Sequence, residues 1–143
     1  MKKEITTSIE INASAEIVWN VLTDFEKYPE WNPFIHFIKG EPIVGQTVHA
    51  KIQNMNFKPK VLVFDKNREF KWIGKLLFKG LFDGEHRFFL TENSNGTTTL
   101  MQSEKFSGVL VKLFSKKLEK ETYAGFIEMN EALKERSEKS ASH

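Results

Sequence analysis

The chain has 143 residues, of which 40% are hydrophobic and 28% charged, with a formal net charge of +2. That length suits one domain with a substantial core, and so small a net charge argues against binding a nucleic-acid backbone over an extended surface. The absence of cysteine excludes a disulfide framework, a thiolate metal centre and a cysteine nucleophile, and it fits a reducing, cytoplasmic setting.

Met1-Lys2-Lys3-Glu4 runs straight into strand-like sequence with no apolar signal core. No stretch reaches the ~18 apolar residues of a membrane span, so stable membrane insertion is not expected. Ile5, Thr7, Ile9 and Ile11 alternate with Thr6, Ser8 and Glu10, the period of a half-buried strand. Asn12 and Ser14 then offer helix caps, and Val18, Val21, Leu22 and Phe25 form an apolar helical stripe. Pro29 and Pro33 bracket Glu30-Trp31-Asn32 and force a bent connection.

From Phe34 to Phe106 the pattern is strand and turn. Candidate strands are Phe34–Lys39, Gln46–Gln53, Lys58–Asp65, Glu69–Leu76, Phe82–Glu92 and Thr97–Phe106, with turns at Gln53-Asn54-Met55-Asn56, Gly80, Gly84 and Ser94-Asn95-Gly96 among others. After Gly108, Leu118, Thr122, Phe126, Met129 and Leu133 share one face of a long helix. At about 25 residues that helix would measure about 37 Å, enough to cross a sheet. The tail 137–143 is polar and expected to fray. Short turns between consecutive strands require an antiparallel meander, and the long helix is the element able to cover its apolar face. The expected fold is α+β: a curved antiparallel sheet of seven strands wrapped around a C-terminal helix, as one domain over residues 1–136.

Several segments carry a family likeness. At Trp19…Leu22-Thr23-Asp24-Phe25…Tyr28-Pro29-Glu30-Trp31-Asn32-Pro33-Phe34 the sequence resembles the START-related helix-grip superfamily. Within it the likeness is to bacterial polyketide cyclase/dehydrase and lipid-transport-like proteins (SRPBCC). Trp72-Ile73-Gly74, Gly84-Glu85-His86-Arg87-Phe88, Glu104-Lys105-Phe106-Ser107-Gly108 and the closing segment Gly125 to Lys134 extend it over almost the whole chain. The resemblance implies a cavity between sheet and long helix. It leaves function open, because this fold hosts carriers, cyclases, hormone receptors and co-chaperone modules. Gly125, mid-helix at a cost of about 1 kcal/mol against alanine, fits a place where the helix bends or something approaches closely.

Two strands carry ionisable residues on the face expected to point inward. His86 shares parity with Phe88 and Leu90, and Glu104 with Leu100, Gln102 and Phe106. A Ser94-Asn95-Gly96 hairpin with glycine in the left-handed position pairs Asn93 with Thr97, and the same register sets His86 opposite Glu104. Three roles compete for that pair: a structural contact satisfying buried polarity, an anchor for a ligand's polar group, or an acid/base dyad. His49 falls on a polar face and His36 on an ambiguous one, and no spacing matches a metal motif. Lys112, Lys116, Lys117 and Lys120 alternate with Glu119 and Glu121 and read as a solvated helix face.

The thirteen Phe, three Trp and two Tyr residues suit either a thick core or the walls of an apolar pocket. The expected ligand-binding residues are therefore Trp31, Phe34, Trp72, Phe82, Phe88, Phe126 and Met129 as walls, with His86 and Glu104 as polar contacts. No nucleophile elbow, phosphate loop or dinucleotide fingerprint is present, so no catalytic residue, cofactor or metal is assigned. The expectation is a monomer or weak homodimer that binds or carries a hydrophobic small molecule or lipid. An aromatase/cyclase-like enzyme and a co-chaperone-like interaction module are the rival readings.

Overall fold

The computed structural model describes residues 2–53, 55–75, 83–108 and 116–142. Phe82, Gly80 and Lys112 lie outside the described residues, as do the side chains of Lys117 and Leu118. The elements run β1 (Lys2–Ile11), α1 (Ala15–Thr23), a 3-10 turn (Phe25–Lys27), α2 (Tyr28–Trp31), β2 (Ile35–Lys39), β3 (His49–Ile52), β4 (Met55–Phe57), β5 (Lys60–Asp65), β6 (Glu69–Lys75), β7 (Asp83–Glu92), β8 (Thr98–Ser107) and α3 (Lys116–Ala141).

Ser14 caps α1 by accepting from the Ile17 backbone N–H at 3.3 Å, and Val18, Trp19 and Leu22 bury the helix against the core. At its other end Tyr28 is fully buried and donates its hydroxyl to the Leu22 carbonyl, one of the acceptors a helix C-terminus leaves open. Burial, and secondarily the charge of Asp24, hold the Tyr28 hydroxyl far above its ordinary range, so it remains a donor. Tyr28→Phe leaves that carbonyl unpaired and is expected to cost about 1–3 kcal/mol in urea unfolding; a change below about 0.5 kcal/mol would show that water replaces the bond.

The strands form a five-stranded sheet in the order β1-β8-β7-β6-β5 and a three-stranded sheet β2-β3-β4. All the pairings are antiparallel, and a Thr47–Lys60 bridge links the two sheets. Among the described residues there are thus eight strands, one more than expected, in two sheets. The additional one is β4, placed where the sequence reads as a turn. Gln53 takes the left-handed conformation (φ +55°), and the chain folds back so tightly that Ile52 pairs with Met55. Three residues are too few to display a period, which is why this strand escapes pattern reading.

The β7–β8 hairpin forms as its turn residues require, with Gly96 at φ +86° and the Asn93 N–H bonded to the Thr97 carbonyl at 2.8 Å. Alternate residues of β7 and β8 then point inward: Gly84, His86, Phe88 and Leu90 on one strand, and Leu100, Gln102, Glu104 and Phe106 on the other. Across them α3 lays Phe126, Met129 and Leu133, each fully buried. The arrangement is a helix grip. Ser137 is fully buried, and α3 runs past it to Ala141. Glu138 holds those last turns by accepting from the Asn12 backbone N–H at 2.8 Å while pairing with Lys134. Among the described residues no helix is long and apolar enough to cross a membrane.

Candidate functional site

The inward face of the large sheet can be followed as rows running across the strands. One row reads Thr7, Gln102, Phe88, Phe70 and Phe64, and the next reads Ile5, Glu104, His86, Trp72 and Val61. Over these rows the space is filled. Phe70 stacks on Phe88, His86 on Phe88 with centroids 4.6 Å apart, and Phe126 packs on His86 at 5.0 Å. The row after that reads Phe106, Gly84 and Gly74, so two glycines meet across β6 and β7. With no side chain from either, the sheet cannot fill its own concavity there. A cavity of about 170 Å³ remains.

Trp72, Phe106, Phe34, Met55 and Phe57 give this cavity mostly apolar walls, and Glu104 is the ionisable group among its lining residues. Gln53 and Met55 line it and are also exposed, which puts the mouth at the β3–β4 hairpin. Gly84 has a second consequence: a Cβ on it would lie 2.5 Å from Glu104 Oε2. The glycine therefore makes the room that the carboxylate occupies.

Phe34 forms a wall on the side of α3, which itself contributes Thr122 to the lining, and local chemistry holds the ring there. Asn32 is extended, as a residue before proline prefers to be, and its Oδ1 accepts from the N–H groups of Phe34 (3.0 Å) and Ile35 (2.8 Å). The Phe34 carbonyl in turn accepts from Gln53 N–H at 2.9 Å. Its ring meets Phe126 edge-on and lies over Gly125, where an added Cβ would be 2.3 Å from a ring carbon. Gly125 is thus a packing glycine, serving a ring on the pocket wall.

Behind Glu104 runs a chain of buried polar groups. His86 is 1% exposed, with Nδ1 3.0 Å from Glu104 Oε1, close enough for an ion pair but not aligned for a hydrogen bond. Its Nε2 meets Gln102 Oε1 at 2.9 Å. Gln102 donates to Asn130 Oδ1 at 2.7 Å, Asn130 donates to Thr7 Oγ1 at 2.9 Å, and Thr7 donates to the Gln102 carbonyl at 2.9 Å. Three strands and the helix are tied together under the apolar cover, so the chain can specify how α3 sits on the sheet.

Of the residues read from the sequence as ligand-binding, the structure brings Phe34, Trp72 and Glu104 to the cavity. His86 stands one layer behind Glu104. Phe88, Phe126 and Met129 are core residues, at most 1% exposed. Trp31 is half-buried and packs edge-on against Tyr28, away from the lining. Phe82 lies outside the described residues. The sequence reading passed over Phe106, Met55, Phe57, Asn130 and Thr7. Phe106 was legible from its parity with Glu104, and Asn130 from its i+4 spacing to Phe126. His36 is exposed, and His49 lies 3.3 Å from Asn56 on the small sheet.

The same architecture recurs in solved structures. A hypothetical protein from Helicobacter pylori superimposes with a TM-score of 0.80 at 15% identity, covering 94% of this chain and 88% of that one. A START superfamily protein from Mycobacterium smegmatis aligns with a TM-score of 0.67 at 23% identity, covering 95% and 97% of the two chains. The Zhui aromatase/cyclase from Streptomyces sp. R1128 aligns with a TM-score of 0.73 at 14% identity, covering 96% and 94%. At such identities the likeness is one of fold. No curated protein matches the chain in sequence. The family model described as polyketide cyclase / dehydrase and lipid transport matches residues 2–138, and the chain belongs to that family.

Proposed function

We propose that the protein binds or carries a small hydrophobic molecule, or one end of a lipid, in the cavity between the β6–β7–β8 face and α3. The observation that carries this reading is a mostly apolar pocket holding one carboxylate, kept open by two facing glycines. A cavity of about 170 Å³ is close to the size that takes a benzene ring in an engineered protein core. A single ring or the end of a chain fits; a longer guest extends through the mouth at the hairpin. Affinity comes from removing apolar area from water, about 25 cal/mol per Å² before the costs of association. A cysteine-free chain supports a cytoplasmic setting for such a carrier.

Native mass spectrometry of protein purified without detergent is expected to show a retained apolar molecule. Gly84→Leu, which fills the cavity floor, is expected to lose it. A wild-type protein that carries nothing, and gains no thermal stability from single-ring or acyl compounds, refutes the carrier reading.

One observation favours a second reading, an aromatase/cyclase-like enzyme: the carboxylate in the pocket is backed by an imidazole 3.0 Å away. Proton transfer needs such a group within reach of the substrate. Turnover of a polyketide-like substrate that falls at least a hundredfold in Glu104→Gln would favour it over simple carriage.

A further inference from the structure

The buried polar chain determines what the pocket carboxylate can offer a guest. Gln102 gives its amide hydrogens to Asn130 Oδ1 and, at 3.5 Å, to the Phe126 carbonyl, so its oxygen is the atom facing His86 Nε2. Turning the amide over would set that oxygen against the Phe126 carbonyl. Turning Asn130 with it would draw the Thr7 hydroxyl away from the Gln102 carbonyl. The network therefore holds a proton on His86 Nε2.

It follows that Nδ1 faces Glu104 Oε1, 3.0 Å away, as the other end of the ring. The two atoms are in contact, so Oε1 is the carboxylate oxygen that the imidazole engages. Among the described residues Glu104 is the titratable group on His86. Its other neighbours are Trp72, Phe88 and Phe126, with Gln102 at Nε2. With Oε1 against the imidazole, the second carboxylate oxygen is the one left to a guest. That oxygen, Oε2, lies over Gly84 on the cavity floor, and no hydrogen bond from the described residues reaches it. Among the described residues it is an acceptor with no donor, open to whatever enters the cavity.

We propose that Glu104 Oε2 selects the guest: the pocket takes a single ring bearing a hydroxyl or amine donor and disfavours the same ring bearing a carboxylate. The proposal deepens the carrier reading and rests on it. A donor group completes the open acceptor, whereas a carboxylate brings oxygen against oxygen inside mostly apolar walls. Toluene satisfies the walls and leaves Oε2 bare.

The test titrates the full chain near pH 7 with toluene, phenol, benzylamine and benzoate, followed by isothermal calorimetry or ligand-observed NMR. Phenol and benzylamine are expected to bind about tenfold more tightly than toluene, as a hydrogen bond made to an open acceptor allows, and benzoate more weakly than toluene. Glu104→Leu is expected to bring phenol and toluene within about twofold of each other; should that variant fail to fold, the wild-type ranking decides. Equal binding of toluene and phenol, or benzoate binding best, overturns donor selection and leaves the carrier reading standing. No binding by any of the four overturns both.

Discussion

Gly125→Ala is expected to destabilise the protein by about 2 kcal/mol, although alanine is worth about 1 kcal/mol more than glycine inside a helix. The gain is overridden by geometry. The new Cβ would sit 2.3 and 2.5 Å from two carbons of the Phe34 ring, which is 6% exposed and held by its backbone to Asn32 and Gln53. An overpacked core typically costs about 1–3 kcal/mol, and here the ring's way out is the cavity. Binding of a single-ring guest should fall together with stability, because Phe34 then occupies the guest's space. A double-mutant cycle sharpens the expectation. With the ring removed, Phe34→Ala plus Gly125→Ala should be more stable than Phe34→Ala alone, by up to about 1 kcal/mol, since only the helix preference of alanine remains. Urea unfolding of the four proteins measures this. A Gly125→Ala variant as stable as wild type would mean that the helix and ring part at no cost.

The other large effect is expected at Gln102. Replacing it with leucine keeps the volume and removes the central member of the polar chain. His86 Nε2–H and Asn130 Oδ1 then lose their partners at 1% exposure each. Each orphaned group costs about 1–3 kcal/mol, so Gln102→Leu should lose about 2–6 kcal/mol. Histidine nitrogen NMR supplies a readout that packing alone would not move. In the wild type a proton should be found on His86 Nε2, facing Gln102, and in the variant the tautomer should no longer be held. A loss under about 0.5 kcal/mol would show that the chain is ornamental to stability and that its order does not constrain the imidazole.

These two effects have different origins in the molecule. The facing of His86 and Glu104, with Gln102 on the same side, is legible in residue order alone. Strict alternation along β7 and β8 and a Ser94-Asn95-Gly96 turn leave one register, and register sets neighbours. The long helix is legible for a similar reason, from the spacing of Phe126, Met129 and Leu133. β4 is not, being too short to show a period. Nor is the division into two sheets, which depends on which strand edges meet rather than on any strand's own pattern.

Asn130 and Thr7 mark the boundary between the two kinds. Each stands on a readable buried face, yet their bond joins residues 123 positions apart and exists only because β1 pairs with β8 under α3. Phe34, Trp72 and Glu104 of the pocket's lining could be named from residue order, but the void between them lies on the far side of that boundary. Local patterns specify which side of an element is apolar, since that is written in the order of residues along it. A void is a difference between volumes supplied by distant segments: Gly74 and Gly84 meeting across strands, and Phe34 stopped by Phe126 and fitted over Gly125. Such a difference arises when the segments are brought together, and so the fold could be read from residue order while the place left for a guest could not.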